Sequence, residues 1–308
     1  MAFTAKDVAD LRAKTGCGMM DCKKALSAAE GDIEKAVDIL REQGLAASAK
    51  KASRIAAEGT VYAFVDTAKK IGVVVEVNAE TDFVAKNADF NAFVATVANT
   101  ILEANPADVE ALAEVKAVDT EQTVAELLRE KILTIGENIK LRRFVRYEGA
   151  LASYIHGGGK IGVLVKFDTT DEVASKPEFA EFGKNVAMHI AAAYPQYLNE
   201  AEVPADVVEK EKTIYAEQLA NDPANAKKPA NIIEKIVTGR IAKFFKEICL
   251  VEQVYVKDNE LTINKYVEKT AKELGGDIAI ASFVRFEKGE GIEKREDDFA
   301  AEVAGMIK

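Results

Sequence analysis

The chain has 308 residues, 48% of them hydrophobic, which suits two or three modest cores better than one large one. Its 41 Lys and Arg against 51 Asp and Glu leave a net charge of −10, which argues against a protein that coats nucleic acid with a basic surface. It has no run of about twenty apolar residues and no apolar signal core at its start, so a cytoplasmic protein without a membrane partner is expected.

Thr4 opens a first helix, with Asp7 three residues on in the manner of a capping box and Val8 and Leu11 on one apolar stripe. Thr15-Gly16-Cys17-Gly18 breaks it, and a second helix runs from Met19 to Ala29. Gly31 and Asp32 serve as stop and new N-cap for a third helix, lined by Ile33, Ala36, Val37 and Leu40 and expected to end before Gly44. A three-helix module this small holds little core and reads as a docking unit. Residues 1–58 carry ten basic and nine acidic side chains, so this end can approach an acidic partner face without strong repulsion. Leu45 to Gly59, rich in Ala, Ser and Lys and holding Lys50, Lys51 and Arg54, reads as a helical or semi-flexible solvated tether.

Ile71 to Val77 is an apolar, β-branched run expected as a buried strand, and a helical pattern opens near Ala88. Glu80 to Asn87 is therefore a strand-to-helix corner that presents Asp82 and Phe83 side by side. Two readings stand at this point: Asp82 caps the next helix while Phe83 tucks onto the core, or the pair is a wedge aimed at a partner.

An internal repeat organises the rest. Gly59 to Val77, ending Lys-Lys-Ile-Gly-Val-Val-Val, returns ninety residues later as Gly149 to Phe167, with Gly-Lys-Ile-Gly-Val-Leu-Val. Asp89-Phe90-Asn91-Ala92-Phe93 is echoed by Glu178-Phe179-Ala180-Glu181-Phe182, and Phe144-Val145-Arg146-Tyr147-Glu148 by Phe283-Val284-Arg285-Phe286-Glu287. Two α+β subdomains follow, each a small antiparallel sheet with helices on one face. The repeat also disposes of a false motif: Gly157 to Gly162 fits GxGxxG, but a strand-like run follows it where a dinucleotide site needs a helix. That stretch is read as a hairpin turn.

Val208, Ile214, Tyr215 and Leu219, then Ile233, Val237, Ile241, Phe244 and Ile248, mark two helices expected to form an antiparallel hairpin. Phe299, Val303, Met306 and Ile307 mark a short amphipathic C-terminal helix that must pack on something. Cys17, Cys22 and Cys249 have no framework or CxxC spacing and read as free packing thiols of a reducing compartment. GxSxG, Walker and HExxH sequences are all missing, so no enzyme and no cofactor or metal is expected. His156 and His189 read as hydrogen-bonding residues at a core edge or interface.

Thr15 to Leu26 (Thr-Gly-Cys-Gly-Met-Met-Asp-Cys-Lys-Lys-Ala-Leu) resembles the N-terminal signature of the translation elongation factor Ts family, and Thr81 to Asn87 (Thr-Asp-Phe-Val-Ala-Lys-Asn) resembles its central one. His156 to Val165 and Met188 to Ala192 are similar to two further segments, so the resemblance spans the whole chain in order. It implies a ubiquitin-associated-like module with its tether over 1–55, core subdomains over 56–148 and over 149–200 with 250–290, an inserted coiled-coil hairpin over 201–249, and a C-terminal module over 291–308. It implies an exchange factor that binds elongation factor Tu in its GDP-bound and nucleotide-free forms and speeds GDP release. By the same resemblance Thr81, Asp82, Phe83 and Val84 disturb the partner's magnesium and phosphate site. Met19, Met20 and Lys23 dock on its nucleotide domain, with Phe299 and Met306 as further candidates, and His156 with Gly157, Gly158 and Gly159 reaches another domain. From the residues alone, Met19 and Met20 could equally face their own core. Two other functions compete: a non-exchanging adaptor built on the three-helix module and the arm, and a metal-dependent hydrolase using His156, His189 and Asp82.

Overall fold

A computed structural model describes residues 3–222 and 228–293. The fold is α+β, with twelve α-helices and small antiparallel sheets among the described residues. Helix α1 (Ala5–Thr15) begins with the Thr4/Asp7 capping box and stops at Gly16 in the left-handed conformation. Helices α2 (Met19–Ala28) and α3 (Ile33–Lys51) close a small core of Val8, Leu11, Cys17, Cys22, Leu26, Ala36 and Leu40. Cys17, Cys22 and Cys249 are buried free thiols, and burial pushes Cys249 up to about 11.

The third helix does not end before Gly44. It runs on through Gly44 to Lys51, and Gly44 faces the backbone of Arg129, where a Cβ would make ordinary contact with the carbonyl oxygen at 3.6 Å, so the glycine does not act as a stop. The tether is likewise pinned: Lys51 Nζ donates to the Ile132 carbonyl at 3.0 Å, and Arg54 reaches Glu80 at 3.4 Å.

The first sheet has order β1-β2-β3, from β1 (Glu58–Asp66), β2 (Ile71–Ala79) and β3 (Lys140–Glu148). The second has order β4-β5-β8, from β4 (Ala150–His156), β5 (Ile161–Thr169) and β8 (Ile278–Glu287). Between strands the two halves match element by element. One-turn helices α4 (Asp82–Ala85) and α8 (Asp171–Ala174) are each capped by a threonine, Thr81 and Thr170. Long helices α5 (Ala88–Ala104) and α9 (Pro177–Ala193) both end on a left-handed non-glycine residue, Asn105 and Tyr194. In the first half α6 (Val109–Glu114) follows. Then α7 (Val124–Ile135) stops at Gly136, as α12 (Ile263–Leu274) stops at Gly275 in the second half. Arg146 and Arg285 each donate through Nε to a carbonyl near the end of their long helix, Leu102 and Ala191, where a cation complements the helix dipole.

Each sheet covers its helices with one face and the other sheet with the other. Val73, Val75 and Val77 face α5 and α7 in one core, and Val163, Val165 and Phe167 face α9 and α12 in a second. The alternate residues Val61, Ala63, Val74, Leu164 and Phe286 form a third cluster between the sheets. Close stacking explains the glycines of the Lys-Ile-Gly-Val repeats: a Cβ on Gly72 would lie 2.7 Å from Leu164, and one on Gly162 2.4 Å from Val61. Gly162 is thus a packing residue, and Gly157 to Gly159 make the expected β4–β5 hairpin turn.

Both halves also break register at the same place, Glu76/Val77 on β2 and Lys166/Phe167 on β5. On β2 this bulge brings two successive arginines to one buried carboxylate. Glu76 accepts from Arg142 at 2.9 Å, Arg143 at 2.6 Å, the Gly289 amide at 2.8 Å and Asn78 at 3.1 Å. The chain after β8 is thereby tied to the first sheet.

Helices α10 (Ala205–Ala220) and α11 (Ala230–Ile248) leave the second half and run side by side in opposite directions. Val207 and Val208 pack near Phe244 and Phe245, while Gln218 meets Arg240 at 3.1 Å. A short hairpin of β6 (Val254–Tyr255) and β7 (Asp258–Thr262) leads into α12. No helix among the described residues is long and apolar enough to cross a membrane.

Candidate functional site

The corner between β2 and α5 is held from several sides. Thr81 is the N-cap of α4, its Oγ1 accepting from the Val84 amide at 3.4 Å, and Asn87 caps α5 by accepting from Asp89 and Phe90 at 2.7 and 3.2 Å. Asn91 returns a hydrogen bond to the Ala85 carbonyl at 3.0 Å. Val84 is buried in the first core and anchors the turn.

Neither half of the core-packing reading for this corner holds. Asp82 caps no helix, since Thr81 and Asn87 do so, and Phe83 does not tuck inward but stands 80% exposed. Lone exposed apolar side chains are ordinary on protein surfaces. What distinguishes Phe83 is its rigid mount, because the backbone on both sides of it is committed to caps. Asp82 is exposed beside it, held by Lys86 Nζ at 2.6 Å, and that hydrogen bond keeps its carboxyl below the usual carboxylate range. A fixed ring flanked by an ionised carboxylate is thus offered to the outside.

The segment after α7 grips the same corner. Glu137 accepts through Oε2 from the amides of Glu80 and Thr81, both at 3.0 Å, and through Oε1 from the Thr81 hydroxyl at 2.7 Å. In return Glu80 Oε1 accepts from the Asn138 amide at 2.6 Å, and Asn138 donates to the Arg54 carbonyl at 2.7 Å. Sequence reading did not single out Glu137. Its only sequence signal is a position just past the glycine that ends α7.

Met19 and Met20 are 45% and 60% exposed and stay out of the core, which decides the alternative left open by the residues. Lys23 is exposed on the same helix. The three-helix core includes Leu133 of α7 at its edge, and Gly16 lies against Thr134, so α2 starts beside the end of the helix that leads to Glu137. Gly157 and Gly158 are exposed but Gly159 is buried against Thr60, and its carbonyl accepts from the Val61 amide at 2.8 Å. His156 is exposed, and its Nδ1 lies 3.3 Å from the Tyr154 hydroxyl. Phe299 and Met306 lie outside the described residues.

The second histidine is committed internally. His189 is fully buried; its Nδ1 accepts from the Val256 amide at 3.3 Å, so Nε2 carries the proton and donates to Gln253 at 3.0 Å. Burial lowers its pKa and keeps it neutral. It has no free nitrogen for a hydrolytic metal, and no group of three or more His, Cys, Asp or Glu among the described residues is arranged to hold one.

Comparison with known proteins agrees along the whole chain. The family described as Elongation factor TS matches residues 80–290. Proteins named Elongation factor Ts are 55% identical in Syntrophotalea carbinolica over 311 residues, covering 100% of both chains, and 52% identical in Trichlorobacter lovleyi, covering 99% of this chain and 98% of that one. A third, from Clostridium perfringens, is 51% identical and covers 99% of each. With the capped corner, the duplicated core and this similarity from end to end, the chain belongs to the elongation factor Ts family.

Proposed function

We propose that this protein is a guanine nucleotide exchange factor for elongation factor Tu, acting by displacement of contacts and without bond chemistry of its own. The observation that carries the reading is Phe83, 80% exposed on a corner whose backbone is capped on both sides. GDP is held in a GTPase by phosphate contacts and by Mg²⁺, commonly the largest local charge in such a site. A ring and a carboxylate, Phe83 and Asp82, pushed in beside that metal displace its supports, and each 1.4 kcal/mol lost weakens the nucleotide about tenfold. Linkage makes the effect mutual, so GDP and GTP each expel the factor from the GTPase.

Thr81 and Val84 shape the wedge. Met19, Met20 and Lys23 are the docking contacts on the nucleotide domain, and His156 with Gly157 and Gly158 reaches a second domain of the partner. Residues 1–55 then dock, 56–148 carry the wedge, 149–200 with 250–290 form the supporting half, and 201–249 form the arm. The C-terminal segment 291–308 offers Phe299 and Met306 as further contacts. The protein works beside the ribosome cycle in the cytoplasm.

Stopped-flow release of a fluorescent GDP analogue from elongation factor Tu tests this directly. The wild-type protein is expected to accelerate release strongly, and Phe83→Ala to lose most of the acceleration while retaining its thermal midpoint, since exposed substitutions change stability by about 0.5 kcal/mol or less. Acceleration by Phe83→Ala equal to the wild type's would remove the wedge.

A further inference from the structure

The two halves of the core provide an internal control for the corner. The first half reads Thr81-Asp82-Phe83-Val84-Ala85 and the second Thr170-Asp171-Glu172-Val173-Ala174, each as a threonine-capped one-turn helix with a buried valine. Helices α7 and α12 are twelve residues each, with threonine N-caps and glycine C-caps, and so superpose the residues that follow them: Gly136 on Gly275, and Glu137 on Gly276.

Two differences separate the copies, and they occur together. The first copy has one residue more, Glu80, between the end of its strand at Ala79 and the capping threonine, whereas Thr170 follows Thr169 directly. The first copy also has Glu137 where the second has Gly276. In the second half a Cβ at Gly276 would lie 2.6 Å from Val173 Cγ2, so the shorter connection leaves no room for a side chain. In the first half the extra residue opens that space, and the Glu137 carboxylate fills it with three hydrogen bonds from Glu80 and Thr81. The second corner has no such carboxylate; there the Thr169 hydroxyl donates to the Asp277 carbonyl and Lys176 Nζ to the Leu274 carbonyl, both at 2.7 Å.

The fold therefore tolerates this corner without a carboxylate clamp. The clamp is present only in the copy that carries the exposed ring. We infer that Glu137 is a positioning residue for exchange: its carboxylate fixes the Glu80–Thr81 backbone so that α4 presents Phe83 at one angle. This inference rests on the wedge reading above. Without Glu137 the wedge must be ordered during the encounter, at a cost taken from the step that loosens the nucleotide. Three hydrogen bonds to an ionised acceptor are worth at least about a factor of ten in such an ordering equilibrium.

The test uses the full chain and GDP release from elongation factor Tu, with the rate at saturating factor separated from the factor concentration at half effect. Glu137→Ala is expected to lower the saturating rate about tenfold with a smaller change in half-effect concentration. Glu137→Gln keeps an acceptor for the two amides and a donor toward Thr81 Oγ1, and is expected to restore most of the rate. Combined with Phe83→Ala, Glu137→Ala should add little further loss, because a clamp without a wedge has nothing to position. Amide hydrogen exchange gives a readout besides activity: Glu80 and Thr81 should be protected in the wild type and in Phe83→Ala, and open in Glu137→Ala. Should Glu137→Ala fail to fold, Glu137→Asp, whose shorter side chain draws the carboxylate back from the Glu80 and Thr81 amides and leaves the Thr81 cap in place, supplies the same series at reduced amplitude. If Phe83→Ala slows exchange while Glu137→Ala does not, or if the two losses simply multiply, the positioning role is wrong and the wedge stands. If Phe83→Ala leaves exchange intact, both fall.

Discussion

The two halves of the core share one frame and use it differently. In the second half the corner is short, closed by Gly276 against Val173, and presents Glu172 to solvent. In the first, one added residue and one added carboxylate hold an exposed phenylalanine. The same contrast recurs at the bulge: the first half buries Glu76 among arginines, and the second places the half-buried Lys166 there. The two copies share one scaffold, and the first alone carries carboxylates, Glu76 and Glu137, where the second has Lys166 and Gly276. Polar additions of this kind point to function more directly than shared features do, because the shared ones are already explained by packing.

The comparison can be broken most severely at the bulge. Glu76→Ala leaves Arg142 and Arg143 without their buried partner and is expected to destabilise the fold by about 3 to 5 kcal/mol. Lys166→Ala at the equivalent bulge should cost about 0.5 kcal/mol or less. Urea denaturation of both variants measures the difference, and equal losses would mean that the bulge and not the carboxylate matters.

Gly276→Ala sets a methyl against Val173 and is expected to cost about 1 to 3 kcal/mol by overpacking, read in the same titration. A neutral result would mean that the second corner has room after all and that Glu137 fills no special space.

A smaller effect belongs to the second half alone. His189 is buried neutral, with its pKa lowered from 6.5 by desolvation, so the unfolded chain binds the proton more readily than the folded one. Stability should therefore be full above about pH 6.5 and fall as the pH drops below it. His189→Gln should flatten that slope in denaturation curves taken between pH 5 and 7. An unchanged slope would assign the acid sensitivity to carboxylates.

The smallest expected effect is the sharpest discriminator. Glu172→Phe places a ring on the second corner without a clamp or an added residue, and should change neither stability beyond about 0.5 kcal/mol nor GDP release from elongation factor Tu. Exchange carried by Glu172→Phe in a Phe83→Ala background would show that the ring suffices and its mount does not matter.

Much of this was legible along the chain. The capping box at Thr4, the stop at Gly16, the two hairpins and the two echoed Phe-x-x-Phe helices follow from residue type and spacing, because caps, turns and amphipathic faces are local. The corner at Thr81 to Asn87 was also readable, since a β-branched run gives way to a helical pattern across polar residues.

Only the tertiary structure decided how that corner is arranged. Whether Phe83 turns in or out depends on space in the first core, which Val84 already fills. Gly44 resembled a helix stop because glycine is a helix breaker in isolation, yet α3 continues through it and packs there against Arg129 of α7. Gly72 and Gly162 read as parts of a motif, but their need for room arises from a second sheet stacked on the first. Glu137 grips residues more than fifty positions earlier, and no local pattern can mark a residue whose partners lie that far away along the chain. The sequence by itself determined the elements and their duplication, through interactions between near neighbours. Close approach between distant segments decided that Phe83 stands exposed and how its corner is held.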